Sequence, residues 1–430
     1  MSRDRDGPPT PTHQKGNRAG EDRPTGSCER EVLTLKDLKH LLYFENLLDN
    51  ADNELVEQAR KDGKFIMGYT CYHIPEVLLN VDKCVSVRLR APRTGSIDIS
   101  TYYMSNYVCE YARALLERAI EGGYQFLDGL AAVDACSMMN RFNEHFTILN
   151  CNDKEHFFLP ILDVPYKTED FSYDHMQRQL EERLLSAMHE HLGVDVSDKA
   201  IRKAVKEHNE VCKIMQEISE MRKADNPVIT GYEFHILNLV TYTCPKYLIL
   251  PYLKETLAEL KKRKPDEKLP RARVGIVGSE IDDPEFTKMI EAAGARVVFD
   301  RHCFGSIPGR EVIELSNDED ALPQIVRHYM NTSECARYIA DNKVKQRRET
   351  ADRLAKEFNA DGIIYEQMKY CDFWGFERAL VSHIMSEEYG WPVLSIDRLY
   401  NAKGSGQLRT RFQAFVESLE IKKIQKGGKK

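Results

Sequence analysis

Short apolar runs alternate with helix-length segments in two separate parts of the chain. Such runs are typical of buried parallel strands whose sheet is covered by helices on both faces. The pattern therefore predicts an α/β protein with two doubly wound parallel-sheet domains. The predicted strands are, in chain order, residues 64–70, 85–91, 125–133, 156–162, 273–279, 296–300, 362–368 and 392–397.

A helical segment separates the two strand-rich parts. Between residues 174 and 264 the apolar positions follow helical spacing, and from Ile201 to Met221 they trace one helix face. Cys212 lies on that face, so we expect it in the core rather than among metal ligands. The predicted organisation is a disordered tail over 1–30, an N-terminal domain over 31–170, a helical segment over 171–265, a C-terminal domain over 266–422 and a basic tail over 423–430.

Composition and charge argue against several kinds of partner. Of the 430 residues, 42% are hydrophobic, which is enough to build the cores of two domains. The 61 basic and 68 acidic residues leave a net charge of −7 without a basic stripe, so we expect no nucleic-acid partner. The longest apolar stretch, 247–253, contains Pro251 and is too short to span a membrane. Because the N-terminus lacks an apolar secretory signal, we expect a cytoplasmic protein.

Cysteine is the residue type that suggests chemistry. The chain has 11 cysteines, an odd number that suits a disulfide framework poorly and points to metal binding or redox chemistry. No two of them are separated by only two residues, which argues against zinc ribbons and the usual ferredoxin run. Ligands of a metal centre must therefore be gathered by the fold from distant parts of the chain.

Six of the cysteines occupy the ends of predicted elements. Four follow predicted strands, and in doubly wound sheets ligands gather outside the carboxyl ends of the strands. Two others lie near predicted helix starts, at 107–120 and from about 333, where the helix dipole favours a thiolate. One such cysteine is readily explained as a small buried hydrophobe, but six are not. The strand-end residues are Cys71, Cys136, Cys303 and Cys371, and the helix-start residues are Cys109 and Cys335.

Nucleotide-binding motifs are incomplete or missing. The segment GIVGSE at 275–280 follows a predicted strand but lacks the third glycine and the spacing of the dinucleotide fingerprint. The chain also has no G-x-x-x-x-G-K-[ST] sequence. We therefore expect neither a nicotinamide cofactor nor ATP hydrolysis by this chain.

Four segments carry the most distinctive motifs. They are YVCEYARALLERAIEGGYQFLDGLAAVDACSMMNRF (107–142), RVGIVGSEIDDPEFTKMIEAAGARVVFDRHCFGS (273–306), ADGIIYEQMKYCDFWGFERAL (360–380) and GSGQLRTRFQAFVESL (404–419). Together they resemble the family of 2-hydroxyacyl-CoA dehydratase D-components and benzoyl-CoA reductases, and the resemblance covers nearly all of residues 40–422. It implies two Rossmann-like domains around an iron-sulfur cluster.

The resemblance also implies a ligand set. In this family three cysteines hold a [4Fe-4S] cluster, and the fourth iron is left open for substrate, water or another small ligand. The matching positions here are Cys109, Cys136 and Cys371. Family members often have Cys-Asp at the second ligand, whereas this chain has Cys136-Ser137. We therefore expect different hydrogen bonding beside that cysteine.

The implied reaction is the dehydration of a 2-hydroxyacyl-CoA to an enoyl-CoA. The β-proton that is lost is not acidic, because the thioester activates only the α-position. One-electron reduction of the thioester to a ketyl radical lets the α-hydroxyl leave and acidifies the β-hydrogen. In the family a separate ATP-dependent iron-sulfur activator protein supplies that electron. The resemblance further implies an acyl-CoA substrate and a homologous second subunit, in a heterodimer or a homodimer.

Three alternatives share the same resemblance. The first is reduction of an aromatic acyl-CoA, as in benzoyl-CoA reductase, which uses the same electron input. The second is a reductase with a double-cubane cluster, whose additional ligands would match Cys71, Cys303 and Cys335. The third is a partner subunit that keeps the fold without catalysing the reaction.

Five further residues are candidates for substrate contacts. Glu76 matches a Pro-Glu motif of the family and would transfer or orient a proton, although a helix start also favours a glutamate. Ser279 and Ser306 follow strands and would donate hydrogen bonds to CoA or the acyl group, unless they cap helices. Arg409 and Arg411 would bind a CoA phosphate or an acyl carboxylate, with a structural ion pair as the alternative.

Overall fold

The computed structural model describes residues 37–91, 94–266, 268–307, 310–400 and 405–427, and the statements below concern these residues. They form two four-stranded sheets, all of whose strands are parallel, with helices around and between them. The predicted α/β fold, two doubly wound domains joined by a helical segment, is confirmed. The predicted tail over 1–30, including Cys28, lies outside the described residues.

The first sheet lies in the N-terminal domain. Its strands are β1 (Phe65–Tyr69), β2 (Cys84–Arg88), β3 (Gly129–Asp134) and β4 (Ile161–Asp163). Their order is β2-β1-β3-β4, and the register pairs Phe65 with Cys84 and Met67 with Gly129. The central strands β1 and β3 are buried on both faces, which is why they appear in the sequence as continuous apolar runs.

The second sheet repeats this topology. Its strands are β5 (Ala272–Gly278), β6 (Ala295–His302), β7 (Gly362–Met368) and β8 (Val393–Arg398), in the order β6-β5-β7-β8. A Cβ atom at Gly275 would lie 2.0 Å from Cζ of Phe299 on β6. Only glycine therefore lets that ring lie across β5.

Fifteen helices are described, and the helical pattern of the sequence anticipates most of them. Those of the N-terminal domain are α1 (Leu41–Leu47), α2 (Glu54–Lys61), α3 (Asp98–Tyr103), α4 (Glu110–Ile120) and α5 (Ser137–Ile148). Those of the helical segment are α6 (Asp170–Gln179), α7 (Ser186–Leu192), α8 (Asp198–Glu220), α9 (Gly231–Thr243) and α10 (Lys246–Leu260). Those of the C-terminal domain are α11 (Glu285–Ala292), α12 (Ala321–Thr332), α13 (Asp341–Glu357), α14 (Asp372–Glu387) and α15 (Gly406–Gly427).

Short irregular helices complete the described chain. Glu76–Asn80 and Met221–Lys223 are 3-10 turns, and Leu180–Leu185 is a π-helical turn between α6 and α7. The predicted basic tail begins inside α15, which continues to Gly427. Within the described ranges, no helix combines the length and the apolar character needed to cross a membrane.

Helix α9 is buried along nearly its whole length between the two domains. It packs against β2 of the first sheet and β6 of the second, and such a position requires a helix that is apolar on all sides. Its start is fixed by a capping box: Glu233 N–H donates to the Thr230 hydroxyl at 3.0 Å, and Thr230 N–H donates to the Glu233 carboxylate at 2.8 Å. The helical segment thus joins the cores of both domains.

One predicted helix start is wrong. Helix α12 ends at Thr332 and α13 begins only at Asp341, so the predicted start near residue 333 does not exist. Residues 333–340 instead form turns held by long-range hydrogen bonds from Arg337 and Arg347. Cys335 therefore lies in a loop and not at a helix N-terminus.

The carboxyl ends of the two sheets face each other. Arg88, at the end of β2, donates to the carbonyl of Cys303 after β6 at 2.5 Å and lies 3.4 Å from the carboxylate of Glu280 after β5. Arg337 donates to the carbonyl of Asp134, at the end of β3, at 3.3 Å. In doubly wound sheets, ligands bind at this edge near the point where strand order reverses, here between β1 and β3 and between β5 and β7.

Candidate functional site

Three cysteines occupy the N-cap positions of three helices. Cys109 precedes α4, Cys136 precedes α5 and Cys371 precedes α14; we call them the first set. The first N–H groups of a helix have no partner within the helix, and its N-terminus carries partial positive charge, so both favour a thiolate. Burial raises the pKa of all three thiols, and the first-turn N–H groups of Tyr111 and Ala112, of Met138 and Met139, and of Trp374 oppose that rise.

The structure brings the first set together. Burial, and after it the charges of Cys109 and Cys136, raises the pKa of Cys371 well above its usual value. Burial and the neighbouring Cys136 raise the pKa of Cys109 to about 12, and burial raises the pKa of Cys136 to about 11. The rings of Tyr107 and Tyr370 meet edge to face with centroids 5.7 Å apart, which joins the segments that lead into Cys109 and Cys371.

A second set of cysteines lies beside the first. It consists of Cys71 after β1, Cys303 after β6 and Cys335 in the loop 333–340. Burial and then Cys335 raise the pKa of Cys71 to about 12. Burial, then Glu280 and Cys335, raises the pKa of Cys303 well above its usual value, and Cys71 adds to this effect. Burial also raises the pKa of Cys335, although the backbone of Arg337 and, after it, Tyr72 oppose this rise.

Cys335 connects the two sets electrostatically. After burial, it is among the groups that raise the pKa of both Cys136 and Cys371. Cys109 and Cys303 are buried, whereas the other four thiols are half-buried. Six thiols from distant parts of the chain therefore share one region, at the facing edges of the two sheets.

The six thiols of the two sets are soft donors, of the kind that zinc and iron-sulfur centres use. Among the described residues, no three His, Cys, Asp or Glu side chains are placed to hold one metal ion. A tetrahedral ion with metal-sulfur bonds of about 2.3 Å would draw its sulfurs to within about 4 Å of each other. Cysteine ligands of a four-iron cluster bind separate irons and so lie farther apart. Because burial raises the pKa of these thiols, a nearby positive charge would be needed to hold them as thiolates, and a bound metal would supply it.

Glu280 is a member of this region that the sequence analysis missed. Its charge raises the pKa of Cys71, Cys109 and Cys303, so it is a neighbour of both sets. Burial raises the pKa of Glu280 itself to about 7, although the fully buried Arg88 opposes this rise. The available signal was its position directly after β5, at the point where strand order reverses.

Glu76 lies in a buried ion network of the N-terminal domain. Its carboxylate accepts a hydrogen bond from the Tyr69 hydroxyl at 2.6 Å, and it lies 3.3 Å from Lys246 Nζ and 3.4 Å from His208 Nδ1. Burial opposes its charged form, but Lys246 and His208 together lower its pKa well below the usual range. These partners belong to β1, α10 and α8 and not to the loops that carry the cysteines. A role in proton transfer stays a prediction.

The two predicted serines differ in accessibility. Ser279 is fully buried; its hydroxyl donates to Glu366 at 2.9 Å and accepts from Met368 N–H at 2.6 Å, which connects β5 to β7. Ser306 is half-buried, and its N–H donates to Asp300 at 2.6 Å. Hydrogen bonding to substrate remains a prediction for both, and Ser306 is the more accessible of the two.

The two predicted arginines lie in the first turns of α15. Arg409 is exposed, whereas Arg411 is half-buried and donates to the carbonyl of Ser395 on β8 at 2.6 Å. Arg411 therefore already holds α15 against the second sheet. Anion binding stays a prediction for both residues, and the exposed Arg409 has the freer side chain.

The remaining described cysteines are buried in the packing of the domains. Cys212 is fully buried on α8, as predicted, and its sulfur lies 3.3 Å from His208 Nε2. Cys84, Cys151 and Cys244 are also buried, in the apolar cores beside the first sheet. These four thiols therefore contribute to the cores and not to the facing edges of the sheets.

The fold and this site define a class of protein. Two doubly wound domains turn the carboxyl edges of their sheets toward each other and gather cysteines there, at the edge where such sheets bind ligands. The chain matches the family described as 2-hydroxyglutaryl-CoA dehydratase, D-component, over residues 71–419. Because the match spans most of the chain, the protein belongs to this family.

Three curated relatives align along most of their length. The (R)-phenyllactyl-CoA dehydratase beta subunit of Clostridium sporogenes is 22% identical, over 87% of this chain and 97% of the relative. The beta subunit of (R)-2-hydroxyglutaryl-CoA dehydratase from Acidaminococcus fermentans is 21% identical, over 85% and 95%. A benzoyl-CoA reductase subunit of Thauera aromatica is 21% identical, over 83% and 91%. These similarities support the role of a dehydratase or related reductase component.

Proposed function

We propose that the protein is the iron-sulfur subunit of a 2-hydroxyacyl-CoA dehydratase, with one [4Fe-4S] cluster held by Cys109, Cys136 and Cys371. The observation that supports this most is the first set itself: three helix starts, each with a cysteine at its N-cap, brought together between the sheets. Membership in the dehydratase family supports the reaction class.

Each part of the site has a role in this proposal. A bound cluster supplies one-electron transfer at low potential to the acyl thioester. The backbone N–H groups at the three helix starts stabilise the thiolates that hold it. Buried Cys109 closes one side of the site against water, whereas half-buried Cys136 and Cys371 leave a side through which the acyl-CoA reaches it.

Partner proteins follow from this chemistry. The relatives are named as subunits, and we propose that this chain likewise pairs with a homologous subunit. An ATP-dependent iron-sulfur activator would deliver the electron. Because the rate of electron transfer falls steeply with distance, the activator must approach the half-buried side of the first set. Tyr107 lies two residues before Cys109, and Phe376 lies on α14, which Cys371 caps; they are 74% and 80% exposed, so they offer apolar surface for this contact.

Single substitutions of the cysteines test the cluster assignment. Replacing Cys371 by Ala should remove most of the iron from anaerobically purified protein, because two thiolates hold a cluster poorly. The matched control is Cys212→Ala, which removes a buried thiol outside both sets. Iron and acid-labile sulfide per chain are the measurements. Full iron content in the Cys371 variant would show that the first set is not the ligand set.

A second candidate function has its own supporting observation. After burial, Cys335 is among the groups that raise the pKa of Cys71 and Cys303, and it acts likewise on two cysteines of the first set. Such convergence suits a second four-iron unit beside the first, as in a double-cubane reductase. The buried Arg88, next to Cys303, would offset part of the added negative charge.

Metal content separates the two candidates. About four irons per chain supports the dehydratase with one cluster, and about eight supports the double-cubane reductase. Cys335→Ala sharpens the comparison, because it should leave the iron content unchanged in the first case and lower it by about half in the second. Spectroscopy of the reduced protein would then show one isolated spin system or two interacting ones.

A further inference from the structure

The loop between α12 and α13 is held more tightly than a connecting segment requires. Residues 333–340, which we call the Cys335 loop, have no regular structure, yet most of its side chains are buried. Loops usually run over the surface and are more mobile than the elements they connect. The contacts that immobilise this loop therefore need a physical account.

One connection runs to the helix that Cys371 caps. Arg347 on α13 donates to the carbonyl of Cys335 at 3.1 Å and to the carbonyl of Tyr338 at 2.7 Å. Its guanidinium also pairs with both carboxylate oxygens of Glu377 on α14, at 2.9 and 2.6 Å. Both side chains of the pair are buried. Arg347 thus joins the backbone around Cys335 to the helix that begins at Cys371.

A second connection runs to the strand that leads into Cys136. Arg337 is almost fully buried and donates to the carbonyls of Asp134, Val164 and Pro165, the last at 2.7 Å. Asp134 ends β3, two residues before Cys136. The guanidinium of Arg337 also lies over the ring of Tyr166, 3.7 Å from its centroid. The loop is therefore attached to the first sheet as well.

Two more connections run to the neighbours of the remaining second-set cysteines. Glu334 pairs with Arg301 on β6 at 2.8 Å, two residues before Cys303. The hydroxyls of Ser333 and Tyr72 lie 2.7 Å apart and share a hydrogen bond next to Cys71. The Arg301–Glu334 pair and the Arg347–Glu377 pair line one cavity of about 10 Å³.

Three of these connections end within two residues of a cysteine, Cys71, Cys136 or Cys303, and the fourth ends on the helix that Cys371 caps. We propose that the Cys335 loop is a positioning element that fixes the spacing between the two cysteine sets, with Arg337 and Arg347 as its positioning residues. The inference rests on the proposed iron site. Stability alone would not require the contacts of one loop to reach the elements that carry four different cysteines, and buried arginines are costly unless their hydrogen bonds are satisfied.

The test measures the reactivity of individual thiols together with the cluster spectrum. Arg347→Lys keeps a charge opposite Glu377 but cannot also donate to both loop carbonyls. Tyr72→Phe removes only the hydroxyl that contacts Ser333 and is mild enough to fold. The control is Glu233→Gln, which breaks an equally buried pair with Arg263 on the far side of α9. Alkylation of each cysteine is followed by mass spectrometry, in the protein as purified and after iron chelation.

We expect Cys335 to be alkylated at least tenfold faster in the Arg347 and Tyr72 variants after chelation, with Cys212 unchanged. In the iron-loaded protein the same variants should keep their iron and change the spectrum of the reduced cluster. Glu233→Gln should lower stability without either effect. Equal acceleration of all cysteines, or none, would overturn the proposal. The thiol reactivities are measured after iron has been removed, so they test the positioning role independently of iron binding. A chain that binds no iron would refute the proposed function, but the reactivity test would remain valid.

Discussion

Replacing Glu76 by Gln distinguishes a structural carboxylate from a catalytic one. Glu76 is buried, accepts a hydrogen bond from Tyr69 at 2.6 Å and has two cationic neighbours, Lys246 at 3.3 Å and His208 at 3.4 Å. Gln preserves the shape but removes the charge. The ammonium of Lys246 then loses its counter-ion while it stays buried away from solvent.

The expected magnitude follows from burial. Removing one partner of a buried ion pair costs about 3–5 kcal/mol, because the remaining charge is left uncompensated. A loss of this size corresponds to a fall of roughly 10 °C in the melting temperature of the N-terminal domain, at about 2–4 °C per kcal/mol. Iron bound to the cysteines should be unaffected in protein that remains folded, since the partners of Glu76 lie outside both sets.

The same network makes stability depend on pH. Burial opposes the charged form of His208, but Cys212 and Glu76 outweigh it and raise the pKa of His208 from 6.5 to about 9. Because the pKa of His208 is higher in the folded protein than in the unfolded chain, its protonation stabilises the fold. This stabilisation is fully present below about pH 6.5 and is lost as pH rises through about 9. The urea midpoint of the wild type should therefore fall between these values, and that of Glu76→Gln should fall less.

Urea unfolding followed by near-ultraviolet circular dichroism measures the effect, with turnover measured in parallel. The double variant Glu76→Gln, Lys246→Met is the control, because removing both charges should recover part of the lost stability. A Glu76→Gln protein within about 1 kcal/mol of the wild type, yet inactive, would refute the structural account. That outcome would support the predicted role in proton transfer instead.

Two further predictions concern the site itself. Above the pKa of Glu280, which is about 7, Glu280→Gln removes a negative charge beside Cys109 and Cys303. At such a pH the midpoint potential of the bound cluster should rise in a redox titration monitored by electron paramagnetic resonance. An unchanged or lower potential would contradict this. Replacing the exposed Tyr107 and Phe376 together by Ser should slow ATP-dependent electron transfer from the activator, while the iron content stays constant. An unchanged rate of electron transfer would exclude this surface as the contact.

Local patterns in the sequence were sufficient for the two sheets. All eight strands lie at or next to the predicted apolar runs, and β7 has the predicted bounds, 362–368. A strand buried on both faces needs continuous apolar residues, so its signal is contained in a few neighbouring positions. The same reasoning placed Cys212 in the core, because α8 shows a regular apolar stripe that includes it.

Local patterns were not sufficient for the Cys335 loop. Helical periodicity predicted a helix from about 333, but α13 begins at Asp341. The loop conformation depends on Arg337 and Arg347, whose partners include Pro165 and Glu377, far away in the sequence. Contacts of this kind override local propensity, and no short segment reveals them.

The sequence by itself determined the fold class, the strand-end and helix-start positions of the candidate cysteines, and, through its motifs, the family. Only the tertiary structure decided which side chains meet. It placed Glu280 between the cysteine sets, put Glu76 in a separate ion network, and brought Cys335 beside Cys136 and Cys371. The physical reason is that burial and electrostatic coupling depend on distances in space. The facing edges of the two sheets set those distances, whereas spacing along the chain does not.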